Sequence, residues 1–381
     1  LDSLEHQTCQ RKFIIHLPPG YQEHSPIPAV IFLHGGNGNF QSAQIFTLFN
    51  QVSNTNDFIV VYPQAYYETD TDSYVWADGR NTAADQAGID DVGFITKMVD
   101  TLLAKYSVNA KRIYLCGFSN GSFLTQRIAF QANTQFAAMG TVGGTLHSTL
   151  FYKGDPEISI PMVYVFGTDD PFVPYNGGTV TGAATDPVVG IEQAVQFWVE
   201  NNNCSAIPDT INLPDINTTD NSTVTLFEYK ECKAPVKFYR INGGGHTWPG
   251  VEMEQMASLL GETNKDIFAS QELWQFFKNH SLTTIAVFQS NSQISDFKLY
   301  DNYPNPFNPT TTIKYSLPKK SKVKISVYSI RGQLVETLTN TYETAGNHTL
   351  KWNASKFPSG PYLYRIKADD YSKVKKCMLL K

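Results

Sequence analysis

The sequence predicts an α/β protein, a mostly parallel sheet covered by helices on both faces, followed by a small all-β sandwich. Three observations carry this. Over the first ~280 residues, continuous apolar runs of strand length alternate with helical patterns, the mark of strands buried on both faces. A polar stretch of Ser, Asn, Thr and Gln then reads as a linker. Beyond it the apolar period changes to strict alternation, as half-exposed strands require. The expected division is 1–280, a linker at 281–296, and 297–381.

Taken in order, Ala29-Val30-Ile31-Phe32-Leu33 is a buried strand that ends in His34-Gly35-Gly36, and Phe58 to Pro63 is the next. A helix is expected from about Asp91, with Val92, Ile95, Val99, Leu102 and Leu103 on one face and Asp90-Asp91 as its start signal. Arg112 to Cys116 is a short buried strand, and Ser122 to Phe130 has helical spacing. Met162 to Gly167 and Val236 to Ile241 are further strands, and a helix around Gln271 to Phe277 closes the region. In the tail, Lys322 to Tyr328, Leu350 to Trp352 and Tyr362 to Ile366 alternate, with turns between them.

Charge divides the chain in the same place. Residues 1–296 hold 15 basic and 30 acidic side chains, whereas 297–381 hold 15 basic and 5 acidic. An acidic first region argues against a nucleic-acid substrate, because phosphate binding needs a basic surface. No apolar run is long enough to span a bilayer. No signal peptide opens the chain at Leu1, which reads as a mature or trimmed form. Five cysteines are too few for a disulfide framework; Cys204 and Cys232 could pair across the polar segment between them, and Cys116 reads as a buried free thiol. No Cys/His cluster has metal-ligand spacing, and the glycines after His34 lack the Lys-Ser/Thr of a phosphate loop. Neither metal nor cofactor is expected.

Between the strand at Arg112 and the helix at Ser122 lies Gly117-Phe118-Ser119-Asn120-Gly121. Strand, sharp turn and helix around G-x-S-x-G make a nucleophile elbow, with the Ser119 hydroxyl at a helix start where developing negative charge is favoured. A serine needs a histidine to take its proton and a carboxylate to orient that histidine. Downstream, Gly167-Thr168-Asp169-Asp170-Pro171 and Gly243-Gly244-Gly245-His246 each follow an apolar strand, in the order such an elbow requires. His34 and His147 precede the aspartates and do not fit that order. Asp-Asp-Pro is also a common turn, and His246 could be a loop histidine, but the joint pattern selects Asp170 and His246. The oxyanion hole is expected from the backbone N–H groups of Asn120 and Gly36. Trp76 and Trp248, in loops, are expected to contact substrate, whereas Trp198 and Trp274 sit in helical patterns and should only pack.

These motifs carry a resemblance. Leu33-His34-Gly35, Asp90-Asp91-Val92-Gly93-Phe94-Ile95, the elbow, Val173-Pro174-Tyr175-Asn176-Gly177-Gly178 and Gly244-Gly245-His246-Thr247-Trp248-Pro249-Gly250 together resemble the poly(3-hydroxybutyrate) depolymerase/feruloyl esterase family of α/β-hydrolases. The resemblance covers most of residues 10–280. It implies a serine esterase with its triad on Ser119, Asp170 and His246, Asp170 being preferred over Asp169 because it fills the D-x-x-V-P position. It also implies a Cys204–Cys232 disulfide. Ser122 departs from the family, which usually has a second glycine there. Asn302-Tyr303-Pro304-Asn305-Pro306-Phe307-Asn308-Pro309, Val327 to Gly332 and Ser359 to Tyr362 resemble a type IX secretion C-terminal sorting domain. That implies contact with the type IX machinery through 297–381, a secreted or cell-surface location, and an oxidising compartment for the disulfide. The expected substrate is a polysaccharide-linked feruloyl or acetyl ester, or alternatively a polyester. A non-catalytic carbohydrate-binding protein on a decayed hydrolase fold is the remote alternative.

Overall fold

The computed structural model describes residues 1–7, 9–153, 156, 158–182, 185–251, 256–282, 297–302, 304–344, 346–369 and 371–381. The expected linker at 281–296 lies, except for its first two residues, outside the described residues. The chain divides into two compact units, Leu1–Ala286 and Val287–Lys381.

The first unit is organised by a ten-stranded sheet. Its middle is parallel. Ile59–Pro63, Ile27–Leu33, Val108–Phe118, Ala138–Val142, Met162–Gly167 and Val236–Asn242 lie side by side in that order. Both margins are antiparallel. Asp2–His6 and Cys9–His16 form a hairpin beside Ile59–Pro63, while Thr223–Tyr229 and Asp209–Asn212 extend the sheet beyond Val236–Asn242. The six central strands were visible in the sequence as apolar runs, apart from Ala138–Val142, where Gly140 and Thr141 interrupt the pattern. The antiparallel margins gave no such run because they are half exposed: Asp209–Asn212 is exposed throughout.

Alternation along each central strand sends side chains to opposite faces. Ala29, Ile31 and Leu33 join the helix Asp91–Lys105 through Phe94, Met98 and Leu102, and the helix Asn120–Gln131 through Phe123, Leu124 and Ile128. Val30 and Phe32 face the other way, onto the helices Phe49–Asn56 and Ala269–Phe277, where Val52, Leu273, Trp274 and Phe277 are buried. Each helix thus covers one face with one apolar stripe. The Asp91 helix starts where its capping signal predicts, with Asp90 Oδ1 accepting from Gly93 N at 2.9 Å. This is the α/β-hydrolase arrangement, and it brings the carboxyl ends of the parallel strands together at one margin.

Cys204 and Cys232 are joined by a disulfide, and Cys116 is a buried free thiol. The bridge spans 28 residues, from the end of the helix Ile191–Asn201 to the loop after Thr223–Tyr229. Restricting an unfolded loop of that length stabilises the fold by about 3.5 kcal/mol. Replacing both cysteines by serine should lower the urea midpoint accordingly, and dithiothreitol should do the same to the native protein. Equal midpoints with and without reductant would show that the bridge adds nothing.

The second unit is all β. One sheet holds Lys298–Leu299, Thr310–Leu317 and Gly346–Asn353; the other holds Leu334–Glu343, Ser321–Ser329, Gly360–Ala368 and Tyr371–Leu379, every pair antiparallel. Val323, Ile325 and Val327 point inward, whereas Lys322 and Lys324 are exposed. Ile313, Tyr315, Trp352, Tyr364 and Leu379 complete a single core shared by the two sheets, as a sandwich requires.

Candidate active site

The strand Val108–Phe118 runs directly into Ser119, and the helix starts at Asn120. Ser119 has φ 51° and ψ −118°, a backbone conformation that costs free energy for a residue with a side chain. Glycine neighbours make this turn possible. A Cβ on Gly121 would run into the carbonyl of Leu33, and one on Gly117 into the backbone of Gly121. Ser122, the departure from the family pattern, strengthens the turn. Its hydroxyl lies 2.7 Å from the Gly117 carbonyl and 2.8 Å from that of Val142, and accepts from Val142 N at 3.0 Å. It thereby stitches the elbow to the adjoining strand.

Asp170 and His246 come together from two loops. Asp170 follows Met162–Gly167, and its Oδ2 lies 2.7 Å from His246 Nδ1. Its Oδ1 accepts from Phe172 N and Val173 N, both at 2.8 Å. The Asp170 side chain is fully buried and that of His246 is 7% exposed, so water barely screens the pair. Asp169 points elsewhere: it is exposed and accepts from Thr168 Oγ1. The His246 ring packs between Phe118 and Phe172, with centroids 4.9 and 5.3 Å away, and Phe118 is the residue before Ser119. The sequence reading passed over both phenylalanines. Phe118 fills the first variable position of the elbow, the only signal it offered.

The loop after Ile27–Leu33 lies against the elbow. A Cβ on Gly35 would sit 3.3 Å from Ser119 Cβ, and one on Gly36 3.7 Å from Asn120 Cβ. Asn120 is the first residue of its helix, so its N–H has no acceptor within that helix. The two N–H groups expected to form the oxyanion hole therefore belong to adjacent pieces of backbone.

His34, just ahead of these glycines, is wholly buried. Its Nδ1 donates to the Gly35 carbonyl at 2.8 Å, and Nε2 accepts from Ala65 N at 3.2 Å, which fixes a neutral tautomer. Burial holds its pKa down at about 4, against the small upward pull of the Gly35 carbonyl. His280 is likewise held at about 4 by burial. An unfolded histidine takes up a proton near pH 6.5, and the folded one refuses it until about 4. The stability from neutral His34 is therefore complete above pH 6.5 and lost as pH falls towards 4, about 3 kcal/mol in all. Urea midpoints of wild type and His34→Gln between pH 7 and 4.5 should show a shallower acid limb in the variant. Parallel limbs would remove His34 as a source.

The two loop tryptophans require correction. Trp76 and Trp248 are both wholly buried, so neither forms the wall of a substrate pocket. Trp76 Nε1 donates to the His34 carbonyl at 2.8 Å and supports the glycine loop from beneath. Trp248 is enclosed by Phe32, Phe46, Phe49 and Phe118, and its Nε1 donates to Ser270 Oγ. A polar neighbourhood in sequence misled here, because loops that return over the sheet bury their large rings. A separate cavity of about 530 Å³ beside the helix Ile191–Asn201 is lined by Phe197, Phe227, Tyr229 and Arg240 and contains none of the residues above. Arg240 lies over the Phe227 ring, and Phe130 stacks on Phe197. Among the described residues no cluster of His, Cys, Asp or Glu could hold a metal ion.

Residues 11–170 match the family model of the esterase PHB depolymerases, and residues 301–380 that of the secretion system C-terminal sorting domain. The first match lies within the first unit and the second within the second unit. The family match to the esterase domain ends at Asp170, so His246 lies beyond it. Over 268 residues the chain is 22% identical to the bifunctional acetylxylan esterase/xylanase XynS20E of Neocallimastix patriciarum, covering 70% of this chain but only 35% of that protein. A probable feruloyl esterase C of Aspergillus clavatus is 25% identical over 63% of this chain and 77% of its own length. The solved acetyl xylan esterase from Aspergillus awamori overlays on 65% of this chain and 92% of its own, with a TM-score of 0.45 and 15% identity. The sorting domain implies export through type IX secretion. Among the described residues no helix is long and apolar enough to cross a membrane.

Proposed function

We propose that the chain is a secreted serine esterase that hydrolyses polymer-linked carboxylic esters, with feruloyl or acetyl groups on xylan as the first choice. The observation that carries this is the buried Asp170–His246 pair, 2.7 Å apart and packed on the residue that precedes the strained Ser119. In the first step Ser119 Oγ bonds to the ester carbonyl carbon while its proton passes to His246 Nε2. The carbonyl π electrons move to the oxygen, where the N–H groups of Gly36 and Asn120 hold the negative charge. Collapse breaks the bond to the leaving alcohol, which takes the proton from His246. Water then repeats the sequence on the acyl-enzyme and releases the acid. Throughout, Asp170 keeps Nδ1 protonated and stabilises the imidazolium.

Substrate class follows the relatives' names and the export signal. An enzyme sent outside the cell meets polymers, and one relative is named an acetylxylan esterase and the other a feruloyl esterase. The family description favours a second reading, a polyester depolymerase. Hydrolysis of methyl ferulate, acetylated xylan and polyhydroxybutyrate should be compared on the full chain. Turnover of the polyester alone would sink the first choice.

A further inference from the structure

Asn120 contributes a backbone N–H to the proposed oxyanion hole, yet its side chain is also buried and held. Oδ1 accepts from Trp76 N at 2.7 Å, and Nδ2 donates to Asp78 Oδ2 at 2.6 Å. Asp78 is wholly buried, and the same Oδ2 accepts from Arg80 Nε at 3.0 Å and Nη2 at 2.6 Å. Its Oδ1 accepts from Arg80 N at 3.0 Å. The Arg80 guanidinium lies 3.6 Å above the centroid of the Phe123 ring. Asn120 and Phe123 are the first and fourth residues of the elbow helix. The 76–80 loop therefore grips the first helical turn at two points, one polar and one a cation over a ring.

The loop is itself anchored away from the site. Asp91 Oδ2 accepts from Ala77 N at 2.8 Å, and Arg11 binds the other Asp91 oxygen at 2.6 Å. Arg127 Nη1 donates to the Ala77 carbonyl at 2.7 Å. Taking an ion pair such as Asp78–Arg80 out of water is costly, and an apolar pair would serve packing equally well. What the ion pair adds is direction. Its charge-assisted bonds fix Asn120 in one rotamer, and the start of the helix with it. An oxyanion donor acts only if it points at the developing charge before the charge arrives.

We infer that Asp78, locked by Arg80, is the positioning residue for the oxyanion-binding N–H of Asn120. This rests on the esterase reading above. Asp78 touches no reacting atom and acts only through Asn120.

The test uses p-nitrophenyl acetate kinetics and an aryl trifluoromethyl ketone, whose adduct with a serine places an oxyanion in the hole. Asp78→Ala should lower kcat about 10- to 100-fold, leave KM within about twofold, and weaken ketone binding by the same factor as kcat. Asn120→Asp sets a second carboxylate against Asp78 and should lose at least as much. Combining it with Asp78→Asn restores one acid and one amide across the contact, and should recover about tenfold of that loss. The exchange carries the test if Asp78→Ala does not fold. A wild-type kcat and ketone affinity in Asp78→Ala, or a double variant no better than Asn120→Asp, would overturn the inference. Failure of the wild type to hydrolyse the ester would instead remove the esterase reading on which it rests, and full activity in Ser119→Ala would remove Ser119 as its nucleophile.

Discussion

Ser119→Ala should lower kcat for a soluble ester by on the order of 10⁵ to 10⁶, and abolish labelling by a fluorophosphonate. The size follows from the elbow. Ser119 sits at φ 51°, a strained conformation that only the surrounding backbone maintains, and that strain holds its side chain at the tip of the turn. Without the hydroxyl, the bound ester meets only water and two N–H donors. His246→Ala should lose nearly as much, and the double variant little more, because a nucleophile without its base and a base without its nucleophile are equally idle. Ser119→Ala removes no core contact and should keep the fold, whereas His246→Ala empties the space between Phe118 and Phe172 and leaves the Asp170 carboxylate without its histidine, so its fold is checked by circular dichroism. Residual turnover within tenfold of wild type in Ser119→Ala would place the nucleophile elsewhere.

Asp170→Asn should cost on the order of 10⁴ in kcat with almost no change in volume. The hydrogen bonds explain why an isosteric change is so damaging. Asp170 Oδ1 accepts from two backbone N–H groups, those of Phe172 and Val173. An amide must place its oxygen there, because its NH₂ would meet two donors. The NH₂ then faces His246 Nδ1, which has to accept, and the imidazole proton moves to Nε2. In that tautomer the ring has no lone pair for the Ser119 proton. Nitrogen-15 chemical shifts of the His246 ring should show the exchange directly. A variant retaining a tenth of the wild-type kcat, with its proton still on Nδ1, would refute the account.

Much of the fold was legible because burial writes itself into sequence as apolar runs. Ile27–Leu33, Ile59–Pro63 and Met162–Gly167 all appear that way, and the change to alternation at Lys322 marks a sheet packed on one face. Asp170 and His246 could be picked out because each lies in a loop after such a run. The antiparallel margins stayed hidden: a strand such as Asp209–Asn212, exposed along its length, has no apolar signature. The Asp78–Asn120 contact was hidden for a different reason. Its partners are 42 residues apart, and each looks locally like an ordinary polar loop or helix-start residue. Trp76 and Trp248 were read from their neighbours in the chain, whereas their burial depends on neighbours in space.

The order of strands in the large sheet bears on how an exported chain can fold. From Ile27–Leu33, the parallel strands Val108–Phe118, Ala138–Val142 and Met162–Gly167 are added to one side in the order they occur in the sequence. Two marginal hairpins must wait for a later neighbour: Asp2–His6 with Cys9–His16 for Ile59–Pro63, and Asp209–Asn212 with Thr223–Tyr229 for Val236–Asn242. A polypeptide delivered N-terminus first can lay these strands down as they emerge, without reopening a pair already made. The sorting domain at 301–380 arrives last. The address is thus complete only after every strand of the first unit has been delivered.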